Sequence, residues 1–322
     1  MQGWSRRGSA GVAVVLALAA ACARPAPTAD AREQIRFATG MAGASFQPLG
    51  AALGQAIERR MPSTDVVLVE TPGAVTNLFA IQRGEADVGL AYADVAYMAY
   101  TGQLPDAPGP FAQVRAIAVL HVSPVHVLAG ANTPIRTPAD LRGKRVGMGP
   151  AGSGTAVTSA LLLDAFAVPL DSVRQFSLSF SEAADQLANG TIDAAVVVSS
   201  DPVDSVRRAL AGGARLLDID GPAVTSLRSR YPFLKPALIP RDTYPSQPRA
   251  VHTVGMDTLL LGRAGLSDAT AGGIAAAFFA ALPELGALPM PFRFVDPVQA
   301  SATPIPLHSG ASRYYREREL FR

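Results

Sequence analysis

Cysteine is nearly absent from this chain. Its 322 residues contain one, Cys22, so neither a disulfide framework nor a cysteine zinc site is available. Histidine is almost as scarce. His121, His126, His252 and His308 are scattered, with no pair at metal-ligand helical spacing, and no metal or other cofactor is expected. Charge of neither sign dominates: 28 Lys and Arg stand against 26 Asp and Glu, a formal charge of +2. No basic cluster breaks that balance, which argues against a nucleic-acid partner. Beyond the N-terminal segment no stretch stays apolar for ~18 residues, so no membrane-spanning helix is expected and the mature chain should be soluble. What is present is apolar material: 49% hydrophobic against 17% charged residues, enough for real cores and too little charge for a disordered chain. At the usual ~100–200 residues per domain, the length predicts two domains.

Residues 1–22 read as an export signal. Arg6 and Arg7 form a positive start, Gly11 to Ala21 a short apolar core, and small residues surround Cys22. The apolar run falls short of the ~20 residues a membrane-crossing helix needs, which disfavours an uncleaved anchor. Ala19-Ala20-Ala21-Cys22 resembles a bacterial lipobox, departing from it at Ala19, where Leu is usual. Ala21-Cys22-Ala23 equally suits ordinary small-x-small cleavage. The lipoprotein reading is preferred, because the single cysteine stands where lipidation would need it. Removing residues 1–21 takes away two arginines and brings the formal charge from +2 to 0. Residues 23–34, rich in Pro and Ala, read as a flexible tether.

Past the tether the chain runs through one plan twice. A strand at Ile35–Thr39 leads through a Gly-containing loop into a helix ending near Arg60. A strand at Asp65–Val69, the turn Thr71-Pro72-Gly73 and a helix at Val75–Gln82 follow, then Gly84-Glu85-Ala86-Asp87 opens a buried strand. Later come a strand at Lys144–Met148, the loop Gly149–Thr155, a helix through Phe166, a strand at Val173–Leu178 and a helix at Ser181–Leu187. Gly190-Thr191-Ile192-Asp193 then opens another buried strand. Ile35 and Asp87 are 52 residues apart, Val146 and Asp193 47. This duplication predicts an α/β protein of two lobes. In open α/β sheets ligands sit beyond the carboxyl ends of the strands, so each lobe should offer a loop and a helix N-terminus to a shared cleft suited to a small anion. Long β-prone runs at His121–Gly130 and Ala250–Leu261 are read as the crossovers. They divide the chain into lobe 1 (35–124 and 250–322) and lobe 2 (125–249), with the lobes lacking other mutual contacts.

Gly147-Met148-Gly149-Pro150-Ala151-Gly152 is a literal GxGxxG after a strand, yet the next strand ends without the acid a dinucleotide fold requires. No Lys follows Gly152, which excludes a P-loop, and Ala151 breaks the serine-hydrolase elbow. Anion capture remains. Ser153, Gly154 and Thr155 lie where a helix starts, able to cap it or to donate to a carboxylate, with Thr158 one turn along. In lobe 1, Ser45 and Phe46 occupy the matching place, Phe46 as an apolar wall. Asn77 brings an amide that both donates and accepts, and Tyr92 ends a buried strand on the ligand side. Asp94 reads as a helix cap, and Asp87 and Asp193 as structural. No triad spacing or paired carboxylates appear, so no enzyme activity is expected.

These loops resemble the TAXI family of TRAP-transporter solute receptors. The resemblance rests on Ala38-Thr39-Gly40 through Phe46-Gln47-Pro48-Leu49-Gly50, Asn77-Leu78, Gly84-Glu85-Ala86-Asp87, Asp94-Val95-Ala96-Tyr97, Leu141-Arg142-Gly143-Lys144-Arg145-Val146 and Gly152-Ser153-Gly154-Thr155. It continues through Ile239-Pro240, Thr243-Tyr244-Pro245 and Thr253-Val254-Gly255 to Pro306-Leu307-His308-Ser309-Gly310-Ala311 with Tyr314-Tyr315. It implies a two-lobed periplasmic-binding-protein type II fold closing on a small organic acid or amino acid, such as glutamate, glutamine or a dicarboxylate. It also implies delivery to an ion-gradient-driven permease. Carried over by position, the contacts are Ser45, Phe46, Asn77, Tyr92, Ser153 and Thr155. Phe46-Gln47 stands where the family often has two aromatics, and Tyr92 where it often has Gln, so the ligand is left open. The expectation is a monomeric extracytoplasmic receptor, held to the membrane only through lipidated Cys22. A sensor for a membrane kinase and an enzyme using the same cleft are the alternatives.

Overall fold

The computed structural model describes residues 32–287 and 297–320. The signal and lipidation expectations fall outside the described residues. The tether was expected to reach residue 34, but the first strand already begins at Glu33, where its backbone pairs with Thr64 of the neighbouring strand.

The first half of the plan is β1 (Glu33–Ala38), α1 (Phe46–Arg60), β2 (Thr64–Val69), α2 (Ala74–Arg83) and β3 (Val88–Tyr92), with α3 (Ala93–Thr101) following directly. A long strand, β4 (Val114–Ala129), then leads to the second half: β5 (Arg145–Gly147), α4 (Gly154–Ala165), β6 (Arg174–Phe176), α5 (Phe180–Ala188) and β7 (Ala194–Val198). There follow α6 (Asp204–Ala211), β8 (Arg215–Leu217), α7 (Pro222–Arg230), β9 (Leu234–Ile239), the long β10 (Val251–Arg263), α8 (Asp268–Leu285) and α9 (Ser309–Glu317).

Pairing repeats with the order. β1 lies between β2 and β3, parallel to both, and β5 lies between β6 and β7, parallel to both. The path through the sheet is β2-β1-β3-β10-β4-β7-β5-β6, with β8 on β4 and β9 on β10. The two runs read as crossovers are extended, as expected. β4 pairs with β10 over Val114–Pro124, then with β7 over Val125–Ala129, so one strand serves both halves of the sheet.

The core follows from the alternation. Ile35 and Phe37 of β1, Leu49, Leu53 and Ile57 of α1, and Leu78 and Ile81 of α2 are at most 1% exposed. The spacing of Leu49, Leu53 and Ile57 places them on one helical face. Each such side chain contributes roughly 1.5–3 kcal/mol relative to exposure. A second cluster joins Leu128, Ala183, Leu187, Val197 and Tyr244.

Both halves are clasped in the same way at the strand starts. The guanidinium and backbone N–H of Arg36 donate to the Asp87 carboxylate, while the Asp87 N–H donates to the Arg36 carbonyl. Arg145 and Asp193 repeat this pattern bond for bond. Burial opposes ionisation of Asp87, but the hydrogen bonds from Arg36 outweigh it and hold the carboxyl below its ordinary range. For Asp193 the Arg145 side-chain hydrogen bond is the larger effect and acts in the same direction. Both acids are thus structural, as their place at the strand starts implied.

Candidate functional site

At the opposite, carboxyl ends of the parallel strands, four turns meet: β1 to α1, β2 to α2, β5 to α4 and β6 to α5. Each delivers a helix N-terminus, and the four N-cap residues, Ser45, Gly73, Ser153 and Ser179, all line one cleft. It spans about 470 Å³, including its mouth open to solvent. Met41, Phe46, Pro72, Tyr92, Pro150 and Phe180 supply apolar walls. The Phe46 and Tyr92 rings pack at 4.9 Å between centroids. Among the described residues, none of the lining side chains carries a charge. The field in the cleft therefore comes from helix ends, each equivalent to roughly half a positive charge.

The four ends differ in what satisfies them. Ser153 accepts from the Ala156 N–H at 3.2 Å and donates to the Pro150 carbonyl at 2.6 Å. Ser179 accepts from the Glu182 N–H while the Glu182 carboxylate receives the Ser179 N–H, a reciprocal capping box. For α2, the Thr76 N–H donates to the Gly152 carbonyl of the facing loop. Only α1 and α2 lack a side-chain cap among these four. The reason at α1 is visible in the backbone: Ser45 has helical dihedrals (φ −66°, ψ −25°), not the extended ones that swing a hydroxyl back over the first turn. Its Oγ is buried and without a hydrogen-bond partner. A buried hydroxyl left so costs free energy until a partner arrives.

Six of the eight residues singled out in the sequence, Ser45, Phe46, Tyr92, Ser153, Gly154 and Thr155, line this cleft. Asn77 does not. Its amide nitrogen donates to the carbonyls of Thr39 and Leu90 and its oxygen accepts from Thr71, so it ties β1, β3 and the β2–α2 turn together from behind. Thr158 also points away, donating to the Asp94 carboxylate at 2.8 Å and to the Gly154 carbonyl. Of the two roles left open for the Ser153 hydroxyl, capping is the one it plays here. Its proton is held by Pro150, and the unpartnered hydroxyl belongs to Ser45. Sequence reasoning missed Ser179 and Phe180, although Ser179-x-x-Glu182 is a legible helix start and the β6–α5 turn is the counterpart of the β2–α2 turn.

The expectation that the two halves touch nowhere except at the crossovers is also corrected. The Tyr92 hydroxyl donates to the Val198 carbonyl at 2.8 Å, linking β3 to β7. Thr158 of α4 reaches Asp94 of α3, and the Thr76 side chain and backbone both reach the Gly152 carbonyl. This approach needs Gly154: a Cβ there would lie 2.5 Å from the Tyr92 ring. Burial, and secondarily the nearby Asp94, push the Tyr92 phenol upward, so it stays a donor. Asp94 is fully buried in the first turn of α3, and accepts from the Val95 N–H as well as from Thr158. Burial pushes its carboxyl up to about 6 against the pull of those hydrogen bonds.

Among the described residues no group of three or more His, Cys, Asp or Glu is placed to hold a metal, and no helix is long and apolar enough to cross a membrane. The duplicated parallel sheets, the paired crossovers and the cleft at the strands' carboxyl ends define the two-lobed fold of the periplasmic binding proteins. The chain is similar in fold to the alkanesulfonate-binding protein SsuA from Xanthomonas axonopodis pv. citri, solved with MOPS bound. That match has a TM-score of 0.51 at 21% identity, covering 78% of this chain and 74% of that one. A protein of Bordetella bronchiseptica RB50 aligns with TM-score 0.54 and 19% identity over 90% of each chain. A Xanthomonas citri protein solved with a chloride ion aligns with TM-score 0.53 and 12% identity, over 88% of this chain and 99% of that one. At these identities the likeness is one of fold. The sequence profile of the NMT1-like family matches residues 37–318, and the chain belongs to that family.

Proposed function

We propose that this protein is an extracytoplasmic solute receptor that binds a small carboxylate in the cleft between its lobes and delivers it to a TRAP-type, ion-gradient-driven permease. The observation that carries the receptor reading is the convergence of four helix N-termini on one uncharged cleft, with the Ser45 hydroxyl buried and unpartnered beside the uncapped end of α1. Such a site attracts an anion through backbone amides and holds it without a buried counter-charge. The family membership and the fold of the SsuA structure are consistent with it. The TRAP assignment rests on the resemblance of the loop motifs to the TAXI receptors.

On this reading Ser45 and the first amides of α1 receive the carboxylate, Ser153, Gly154 and Thr155 close over it, and Phe46 and Tyr92 flank it. Asn77 and Thr158 hold these elements from behind. Lobe 1 comprises 35–124 and 250–322, lobe 2 comprises 125–249, and the crossovers in β4 and β10 form the hinge. Cys22 carries the lipid that keeps the receptor at the membrane. The protein binds and releases its ligand unchanged; it is not an enzyme.

Mass spectrometry of solute released from the purified protein, followed by calorimetry with that compound, tests the receptor reading. A single carboxylate bound with one-site stoichiometry is the expected result, and turnover of the compound would overturn it. Uptake into vesicles containing the permease should follow an imposed ion gradient without ATP. A strict ATP requirement would remove the TRAP assignment and leave the receptor standing.

A further inference from the structure

The cleft is notable for chemistry it does not offer. A free amino acid carries an ammonium group, and a dicarboxylate a second anionic end. Buried in an apolar enclosure, either group is costly unless an opposite charge or a full set of hydrogen bonds meets it. Among the described residues no lining side chain is acidic or basic. Two acids stand next to lining residues: Asp94 is engaged by Thr158 and the Val95 N–H and sealed from solvent, and the Glu182 carboxylate receives the Ser179 N–H. In the second half the Ser153 hydroxyl donates to the Pro150 carbonyl and accepts from the Ala156 N–H, and the Ser179 hydroxyl accepts from the Glu182 N–H.

The cleft does offer an unused hydrogen-bonding group and apolar walls. The uncapped start of α1 and the Ser45 hydroxyl point to a hydrogen-bond acceptor, preferably anionic. The same cleft has aromatic and aliphatic walls, with Phe46 and Tyr92 packed against each other and Phe180 from α5. We infer that the ligand is a monocarboxylate whose remainder is apolar and uncharged, with its carboxylate at Ser45 and the α1 N-terminus and its body between Phe46, Tyr92 and Phe180. This rests on the receptor reading above and narrows it, excluding glutamate and dicarboxylates as the preferred solutes.

The test is calorimetry on the full chain, stripped of bound solute by unfolding and refolding. The probes form a matched set: 4-methylpentanoate and phenylacetate; leucine, which adds an ammonium to the former; glutarate and glutamate; and 4-methylpentanamide, which lacks the charge. The apolar acids should bind at least about tenfold more tightly than leucine, glutarate or glutamate, and the amide should be weaker than its acid by a similar factor. Leucine, glutamate or glutarate binding as well as or better than 4-methylpentanoate would overturn the inference while leaving a carboxylate receptor intact. Silence from every acid in the set, with normal thermal unfolding, would sink this inference and the carboxylate reading together. Ser45→Ala should weaken 4-methylpentanoate several-fold at unchanged melting temperature. Unaltered affinity in that variant would remove Ser45 from the carboxylate end.

Discussion

The two βαβαβ halves of this protein share strand order, parallel pairing and the same pattern of arginine–aspartate hydrogen bonds, yet they treat their helix N-termini differently. In the second half, Ser153 and Ser179 cap α4 and α5 from within. In the first half, α1 and α2 receive no side-chain cap, and α2 is completed by the Gly152 carbonyl from across the cleft. The difference separates what a lobe needs in order to fold from what it keeps for a partner. One half is self-sufficient at its cleft edge; the other is finished by its neighbour and, in the proposed function, by solute.

Making the two edges clash breaks this comparison most severely. Gly154→Val places a side chain into the Tyr92 ring, and is expected to abolish measurable ligand binding and to destabilise the fold by about 1–3 kcal/mol. Calorimetry and urea denaturation check both. The clasps come next. The Asp87 side chain is 9% exposed and also meets Arg263, whereas that of Asp193 is 20% exposed and, among the described residues, is ion-paired with Arg145, with Lys144 adding only a longer-range pull. Asp87→Ala should therefore cost about 3 kcal/mol and Asp193→Ala about 1 kcal/mol in urea midpoints. Equal losses would show that the halves are clasped equally well.

The third prediction concerns pH. Asp94 is buried and its carboxyl is raised from an ordinary 3.8 to about 6. The folded state therefore holds the proton more tightly than the unfolded chain, and stability from this group is full below pH 3.8 and is lost as pH rises toward 6. The change is about 3 kcal/mol, and Asp94→Asn should flatten stability across that window. The smallest effects compare two serines. Ser153→Ala removes a cap and should lower stability by about 1 kcal/mol. Ser45→Ala removes an unpartnered hydroxyl and should leave stability within about 0.5 kcal/mol of wild type, with its cost confined to ligand affinity.

Much of the architecture was legible because it is periodic. The apolar runs at Ile35, Val88, Val146 and Ala194 and the Gly and Asp residues that precede two of them located the strands. The long extended runs at His121 and Ala250 located the crossovers. Candidate residues on turns, such as Ser45 and Gly154, were found because turns at strand ends are set by local sequence. Asn77 and Thr158 were harder to interpret, since their partners lie on other elements. Asn77 is satisfied by residues up to 38 positions away and Thr158 by Asp94, 64 positions earlier. Nor could the chain alone show that Ser45, unlike Ser153 and Ser179, adopts helical dihedrals and so leaves its hydroxyl unused. That is a backbone fact, invisible to residue type.

The parting of the two long strands carries a mechanical consequence. β4 and β10 run side by side until Pro124 faces Gly255. Beyond that pair, β4 continues to β7 and β8 while β10 continues beside β9. A Cβ on Gly255 would come within 2.6 Å of Val122, so the ribbons are pressed together at their fork. In the hinge proposed above, a twist between the lobes would pass through this crossing and would also strain the contacts at Tyr92 and Thr158. Neither Gly255 nor Val122 lines the cleft, so a bulky side chain at Gly255 would meet Val122 and should stiffen that proposed hinge while leaving the lining residues untouched.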